Sequence, residues 1–246
     1  YTGLLFKGVK NQKMTFPAGV FLIKHRDKGY LLYDTGYHYD IKTRLRYGFY
    51  RLGTPVQMTE KDQISRLMEA KGIKPEEINY VLLSHLHPDH LEGASFFPRA
   101  TFILTKEVYE VYQKPKLKDL IFKEFLPASF EKNLTIIRAD QQVSTFPYRP
   151  ICDLFGDGSI LVASVDGHAR GQACLYFPDL NLLIAADLCW GIDLLPYTKQ
   201  MHLIPSFVQD NKSDYIRGTE FLEEVLKDGI EVVVSHDPVE RIESIL

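Results

Sequence analysis

Apolar residues fall in short bursts along this chain, and their spacing switches between the period of a strand and that of a helix. Residues 4–9, 17–25 and 29–34 read as short strands joined by turns, with Asp27-Lys28-Gly29 a hairpin signal. Thr59-Glu60-Lys61-Asp62 then opens a helix, with Thr59 as N-cap and Asp62 in the acidic place of a capping box. Ile64, Leu67 and Met68 recur at helical spacing, and Gly72 closes the segment. The apolar run 79–84 predicts a buried strand, and 101–104 another. Residues 106–131 carry an amphipathic helical pattern through Val108, Tyr109, Val111, Tyr112, Leu117, Leu120, Ile121 and Phe125. Strand patterns return at 134–138, 159–164, 173–177 and 181–186, with Gly156-Asp157-Gly158 and Pro178-Asp179-Leu180-Asn181 as the turns between them. Helix 213–227 and strand 230–235 end the series. The order strands–helix–strand, given twice, predicts an α/β fold of two packed halves with helices outside the sheets.

Composition narrows the function without naming it. The 246 residues suit one large domain or two fused halves, and 45% hydrophobic content is enough to bury a substantial core. The net charge of −3 argues against a nucleic-acid groove. Lys114-Pro115-Lys116-Leu117-Lys118 is a short basic stretch that reads as a solvated face. No apolar segment approaches the ~18 residues needed to cross a bilayer, and there is no signal-peptide pattern, although a start at Tyr1 leaves N-terminal processing open. Cys152, Cys174 and Cys189 form no Cys-x-x-Cys and cannot all pair, so reduced thiols in a cytoplasm are expected. Cys189 reads as a small packing residue.

The chemistry concentrates at Ser84-His85-Leu86-His87-Pro88-Asp89-His90. A strand ending at Ser84 delivers imidazoles at a strand-to-loop edge, where backbone is rigid and solvent can still reach. Alternation puts His85 and His87 on one side and turns Leu86 into the core. Asp89 and His90, beyond Pro88, can turn toward a second point nearby. Without cations, polar groups packed this closely would leave buried donors or acceptors unpaired, at roughly 1–3 kcal/mol each. Two adjacent metal ions account for the pattern better than a structural role for the histidines.

His-x-His-x-Asp-His resembles the signature of the metallo-β-lactamase fold superfamily of metallohydrolases. The family's other motifs follow in order across almost the whole chain. Leu31-Leu32-Tyr33-Asp34-Thr35-Gly36 matches its early strand-end aspartate, and Asp166-Gly167-His168 its later Gly-His. Ile184-Ala185-Ala186-Asp187 matches its bridging aspartate, and Val234-Ser235-His236-Asp237 its terminal histidine. The resemblance implies a four-layer αβ/βα sandwich of two mixed sheets with helices outside, one domain over 1–246. Residues 106–131 would be the family's variable helical insertion, which shapes the substrate pocket.

It also implies a ligand set: His85, His87 and His168 on one metal, Asp89, His90 and His236 on the other, and Asp187 bridging. Imidazole and carboxylate donors without thiolate suit two Zn²⁺ ions, with Mn²⁺, Fe²⁺ or Co²⁺ as alternatives. Such a pair activates water for attack on a lactone or ester carbonyl, making a dinuclear metal-dependent hydrolase with Asp89 and Asp187 in the catalytic centre. Asp34 is expected either to orient a ligand imidazole or to hold a turn. His87 stands where redox-iron relatives carry glutamate, and Asp187 where β-lactamases usually carry a change of ligand.

The layout is most similar to N-acyl-homoserine lactonases, with two departures. Trp190 replaces a tyrosine three residues past the bridging aspartate, and Gln172 breaks a Gly-His repeat. Tyr197 or His202 is then expected as proton donor. The Tyr- and Arg-rich segment 37–57 reads equally as a cover for the site or as a packed surface loop. A phosphodiester or phosphonate hydrolase using Arg44, Arg46, Arg51 and Arg170 is the alternative, followed by a glyoxalase-type thioester hydrolase; a non-catalytic metal-binding protein fits less well. The expected partner is a small-molecule substrate, with no nucleic acid and no membrane. A homodimer is allowed if apolar 190–195 forms a patch and not a pocket wall.

Overall fold

The computed structural model describes residues 1–246 apart from the Ile204 side chain. The chain divides into two compact units, one of residues 20–103 and 120–135, the other of residues 1–19, 104–119 and 136–246.

The first unit is built on a mixed five-stranded sheet. Its strands are β1 (Phe21–His25), β2 (Gly29–Tyr33), β3 (Ile78–Leu82), β4 (Thr101–Thr105) and β5 (Leu134–Ile137), in that spatial order. β1 and β2 form the expected hairpin: His25 pairs with Gly29, whose φ of 83° is one that only glycine takes without strain. The His25 ring accepts from the Asp27 and Lys28 backbone N–H groups, each at 3.1 Å. β2–β3 and β3–β4 are parallel, so both β2 and β3 end at the same edge of the sheet. The Thr59–Asp62 capping box forms, but it caps a 3-10 turn, Glu60–Asp62; extended Gln63 separates that turn from the helix Ile64–Ala70, which buries Ile64 and Met68 and leaves Leu67 exposed.

The second unit carries a mixed six-stranded sheet. It comprises β6 (Gln141–Val143), β7 (Phe146–Asp153), β8 (Leu161–Val165), β9 (Gln172–Phe177), β10 (Leu182–Ile184) and β11 (Glu231–Val233), in spatial order β11-β10-β9-β8-β7-β6. Only β10–β11 is parallel. β9 is buried along its whole length, which explains its unbroken apolar run. The helix Lys212–Lys227, capped by the Asn211 side chain, packs Phe221, Leu222 and Val225 into the core with Val165, Leu183 and Val232.

Four further sequence readings are corrected. Residues 4–9 are not a strand: the helix Thr2–Leu5 precedes a single bridge from Phe6 to Met201. The segment folds back on itself because Thr2 bonds Lys10 and Gln12, and Phe6 is drawn in against Leu194 and Tyr215. The helical pattern 106–131 yields one helix, Lys106–Gln113, and two 3-10 turns, Leu117–Asp119 and Lys123–Phe125; Pro115 and Pro127 interrupt it. β6 and β7 were masked by Pro147 and Pro150, which mark against a strand. The stretch 190–195 offers no broad apolar patch, since Leu194 and Leu195 are buried. Among the described residues no helix is long and apolar enough to cross a membrane.

Candidate metal centre

In the first unit, the ends of β2 and β3 meet. Asp34 continues β2 by donating its N–H to Leu82 O (2.9 Å) and then turns with φ 60°. Its carboxylate is fully buried and accepts from Ser84 N (2.7 Å), Ser84 Oγ (2.8 Å) and His90 Nδ1 (2.8 Å). Burial raises the Asp34 carboxyl above its ordinary range, and His90 and Ser84 oppose that shift. Asp34 is therefore the group that orients His90, one of the two roles expected of it.

The ligand loop is held at several more points. Ser84 Oγ accepts from His85 Nδ1 (2.9 Å), and His85 Nε2 lies 3.0 Å from His87 Nδ1. Pro88 does not break the chain but opens a one-turn helix, Pro88–Leu91, at the position where its missing N–H costs nothing. That turn brings His90 Nε2 to 3.6 Å from Asp89 Oδ2. Thr35 donates to His90 O through both N and Oγ1, at 2.8 and 2.7 Å, and Gly93 N donates to Gly36 O at 3.0 Å. A side chain at Gly93 would overlap the Thr35 carbonyl oxygen, so only glycine lets the two loops close.

In the second unit, three strand ends supply the remaining donors. After β8, Gly167 (φ 143°) packs flat on the start of the helix Lys212–Lys227, where a Cβ would stand 2.6 Å from Tyr215 Cα. His168 follows, its Nδ1–H donating to Gln209 Oε1 at 2.9 Å. After β10, Asp187 Oδ2 lies 3.3 Å from His168 Nε2 and 3.0 Å from His236 Nε2, a carboxylate shared by two imidazoles. His236 follows β11, and its Nδ1–H donates to Pro17 O at 2.6 Å.

The pattern is uniform. His85, His90, His168 and His236 are each pinned at Nδ1, by Ser84, Asp34, Gln209 and Pro17, which turns the other nitrogen toward neighbouring donors. Sequence reasoning missed Gln209 and Pro17, since neither carries a motif. Gln172, read there as a broken ligand, has a structural part. In the amide orientation that satisfies both its ends, it accepts from the backbone N–H groups of Asp187 and Leu188, each at 3.3 Å. Asp237 is buried and bonds Val234 N, Ile192 N and Arg241, closing the loop behind His236. Cys189 is a core residue whose thiol burial pushes upward, as its packing role requires.

Trp190, Tyr197 and His202 belong to the second unit. Trp190 and Tyr197 pack on Phe6, Leu194, Met201 and Tyr215, and Phe16 touches the rings of both Trp190 and His236. His202 follows Met201 and ties its backbone N–H to Leu5 O. The arginines of the phosphoryl alternative are engaged elsewhere. Arg44 pairs with Asp40, Arg46 with Glu124, Arg51 with the carbonyls of Ile41 and Arg44, and Arg170 with Glu110.

The donors suit two divalent metal ions: neutral imidazole nitrogens and carboxylates in sets that crowd polar atoms otherwise without reason. The sequence pattern of the metallo-beta-lactamase superfamily matches residues 16–217. An N-acyl homoserine lactonase, AttM of Azorhizobium caulinodans, is 27% identical over 232 residues, 90% of this chain and 82% of its own length. Among solved structures, an N-acyl homoserine lactone hydrolase with N-hexanoyl-L-homoserine at its catalytic metal centre has a TM-score of 0.69 at 21% identity, covering 99% of this chain and 90% of that one. A probable metal-dependent hydrolase from Staphylococcus aureus has a TM-score of 0.72 at 14% identity, covering 96% and 84%. With its two mixed α/β sheets and ordered donor motifs, the chain is a metal-dependent hydrolase and belongs to the metallo-beta-lactamase superfamily.

Proposed function

We infer that the protein is a lactonase that opens the ring of N-acyl homoserine lactones, using two ions for which Zn²⁺ is the best match. The observation that carries the reading is the near full-length likeness to lactonases in a chain that keeps all seven donors. In this reading His85, His87 and His168 would hold one ion, and Asp89, His90, Asp187 and His236 the other; Asp187 Oδ2, 3.3 Å from His168 Nε2, is the carboxylate that would bridge them. Bound there, the ions supply an acidified water and a clamp for the charge that develops on the lactone carbonyl oxygen.

The chain's own residues set the geometry. Asp34, Ser84, Gln209 and Pro17 hold four imidazoles in one tautomer and orientation, so that little reorganisation remains for the moment of reaction. Asp187, turned by Ala186 at φ 43° and held at its N–H by Gln172, keeps one carboxylate between His168 and His236. The arginines that a phosphate ester would recruit already have partners, which disfavours the phosphoryl alternative. Three free thiols accord with a reducing cytoplasm.

The test is to incubate zinc-loaded protein with N-hexanoyl-homoserine lactone and identify the product by mass spectrometry. The ring-opened hydroxy acid is expected, and its absence after chelation. Metal uptake of two equivalents with no ring opening would overturn the substrate while leaving the metal centre.

A further inference from the structure

Residues 10–19 carry no helix or strand of their own. Fixing such a stretch costs backbone entropy, which contacts from outside it must offset. Those contacts converge on one histidine of the second unit. Pro17 O accepts from His236 Nδ1 at 2.6 Å, and Gly19 N donates to Ser235 O at 2.9 Å. The Phe16 ring stands edge to face with the rings of His236 and Trp190, each at 6.0 Å, and Trp190 meets Phe6 in the same way at 6.1 Å. Gly19 is what permits the approach. A Cβ there would stand 2.6 Å from Ser235 O and 3.3 Å from Ser235 Cα, backbone atoms that cannot swing aside. Ser235 N donates in turn to Ala186 O at 2.9 Å, one residue before Asp187. The upstream end is fastened as well, since Thr2 Oγ1 donates to Lys10 O at 2.6 Å and Lys7 N to Gln200 O at 3.0 Å.

His236 differs in this from the other pinned imidazoles. His85, His90 and His168 meet side chains at Nδ1, those of Ser84, Asp34 and Gln209. His236 meets a main-chain carbonyl 219 residues away in sequence, in a stretch without regular structure. A side-chain acceptor can rotate to follow its imidazole, whereas a carbonyl goes where its backbone is seated. The Nδ1 partner sets the direction of Nε2, which lies 3.0 Å from Asp187 Oδ2. The aim of His236 therefore depends on how firmly residues 14–19 are held down.

We propose that residues 14–19 form a strap that sets the affinity of the metal ion held with His236, with Gly19 and Phe16 as its positioning residues. This rests on the two-ion reading above and is independent of the substrate. Seating of the strap and occupancy of that position are coupled in both directions. A change that loosens the strap weakens this ion, and binding of the ion tightens the strap. The ion held by His85, His87 and His168 takes its imidazole orientation from Ser84 and Gln209, so it does not respond to the strap.

The experiment titrates zinc into the full chain against a chromophoric chelator and reads the two equivalents separately. In Gly19→Ala, affinity for one equivalent should fall about 10- to 100-fold, while the other stays within about threefold of the parent. Phe16→Ala should weaken the same equivalent by about 3- to 10-fold. With His236 already replaced by alanine, adding Gly19→Ala should change zinc affinity by less than about threefold, because the group the strap aims is gone. Reciprocity requires hydrogen exchange of the Gly19 amide to slow by about tenfold or more when zinc is loaded. Equal weakening of both equivalents, weakening of neither, an undiminished loss in the His236→Ala background, or Gly19 exchange indifferent to zinc would overturn the proposal. If Gly19→Ala does not fold, Phe16→Ala decides by the same comparison. A parent that binds fewer than two equivalents defeats the two-ion reading itself; a parent that binds two, with unaltered variants, defeats only the role of the strap.

Discussion

Asp34 is buried, carries φ 60°, and spends its carboxylate on Ser84 and His90. Three costs, of desolvation, backbone strain and a fixed rotamer, are all offset by bonds to the ligand loop. Asp34→Asn keeps the shape but removes the charge that holds His90 Nδ1–H. Metal affinity is expected to fall about 10- to 100-fold with the circular dichroism spectrum retained. Competition against a chromophoric chelator measures it, and affinity within threefold of the parent would leave Asp34 with a turn role only. At this scale the seven residues that cluster, His85, His87, Asp89, His90, His168, Asp187 and His236, could be picked out in advance, because chemistry at a strand end shows in the letters. The residues that pin them were legible only in part. Asp34 and Ser84 lie in motifs, whereas Gln209 and the Pro17 carbonyl act through tertiary contacts distant in sequence from His168 and His236.

The elements succeed where local physics is strong. At Thr59 the capping box forms, with Thr59 N donating to Asp62 at 2.6 Å, and these bonds hold the Asp62 carboxyl below its ordinary value. A lowered carboxyl stabilises the fold above the unfolded-state value and loses that contribution as pH falls through the folded one. Asp62→Ala should therefore cost about 1 kcal/mol at pH 7 by denaturant melts, with the gap closing below about pH 3.9. A gap independent of pH would remove the carboxylate from the account. Gly93→Ala probes the other junction. Overlap with the Thr35 oxygen must move one loop, at a cost of about 1–3 kcal/mol, and metal affinity should fall with stability. Unchanged melting and metal affinity would show that the two loops close without it. Elements failed to show in the sequence where tertiary packing overrides propensity. β7 forms despite two prolines because β6 and β8 pair with it, and Phe6 leaves its strand pattern for a core of Leu194, Met201 and Tyr215.

For the whole molecule, the α/β class and the order of motifs were readable because donors follow strands in both units. What the sequence hid is that the chain crosses between units four times, with 104–119 and 136–246 joining the N-terminal 19 residues. Contact between segments so far apart leaves no local signal. The central claim is lactone hydrolysis that depends on bound metal. The most direct test is proton release from N-hexanoyl-homoserine lactone by zinc-loaded protein, beside bis(p-nitrophenyl) phosphate and a chelator-stripped control. Ring opening that outpaces the phosphodiester and disappears on stripping is the predicted result; faster phosphodiester cleavage, or ring opening that survives removal of the metal, would contradict it.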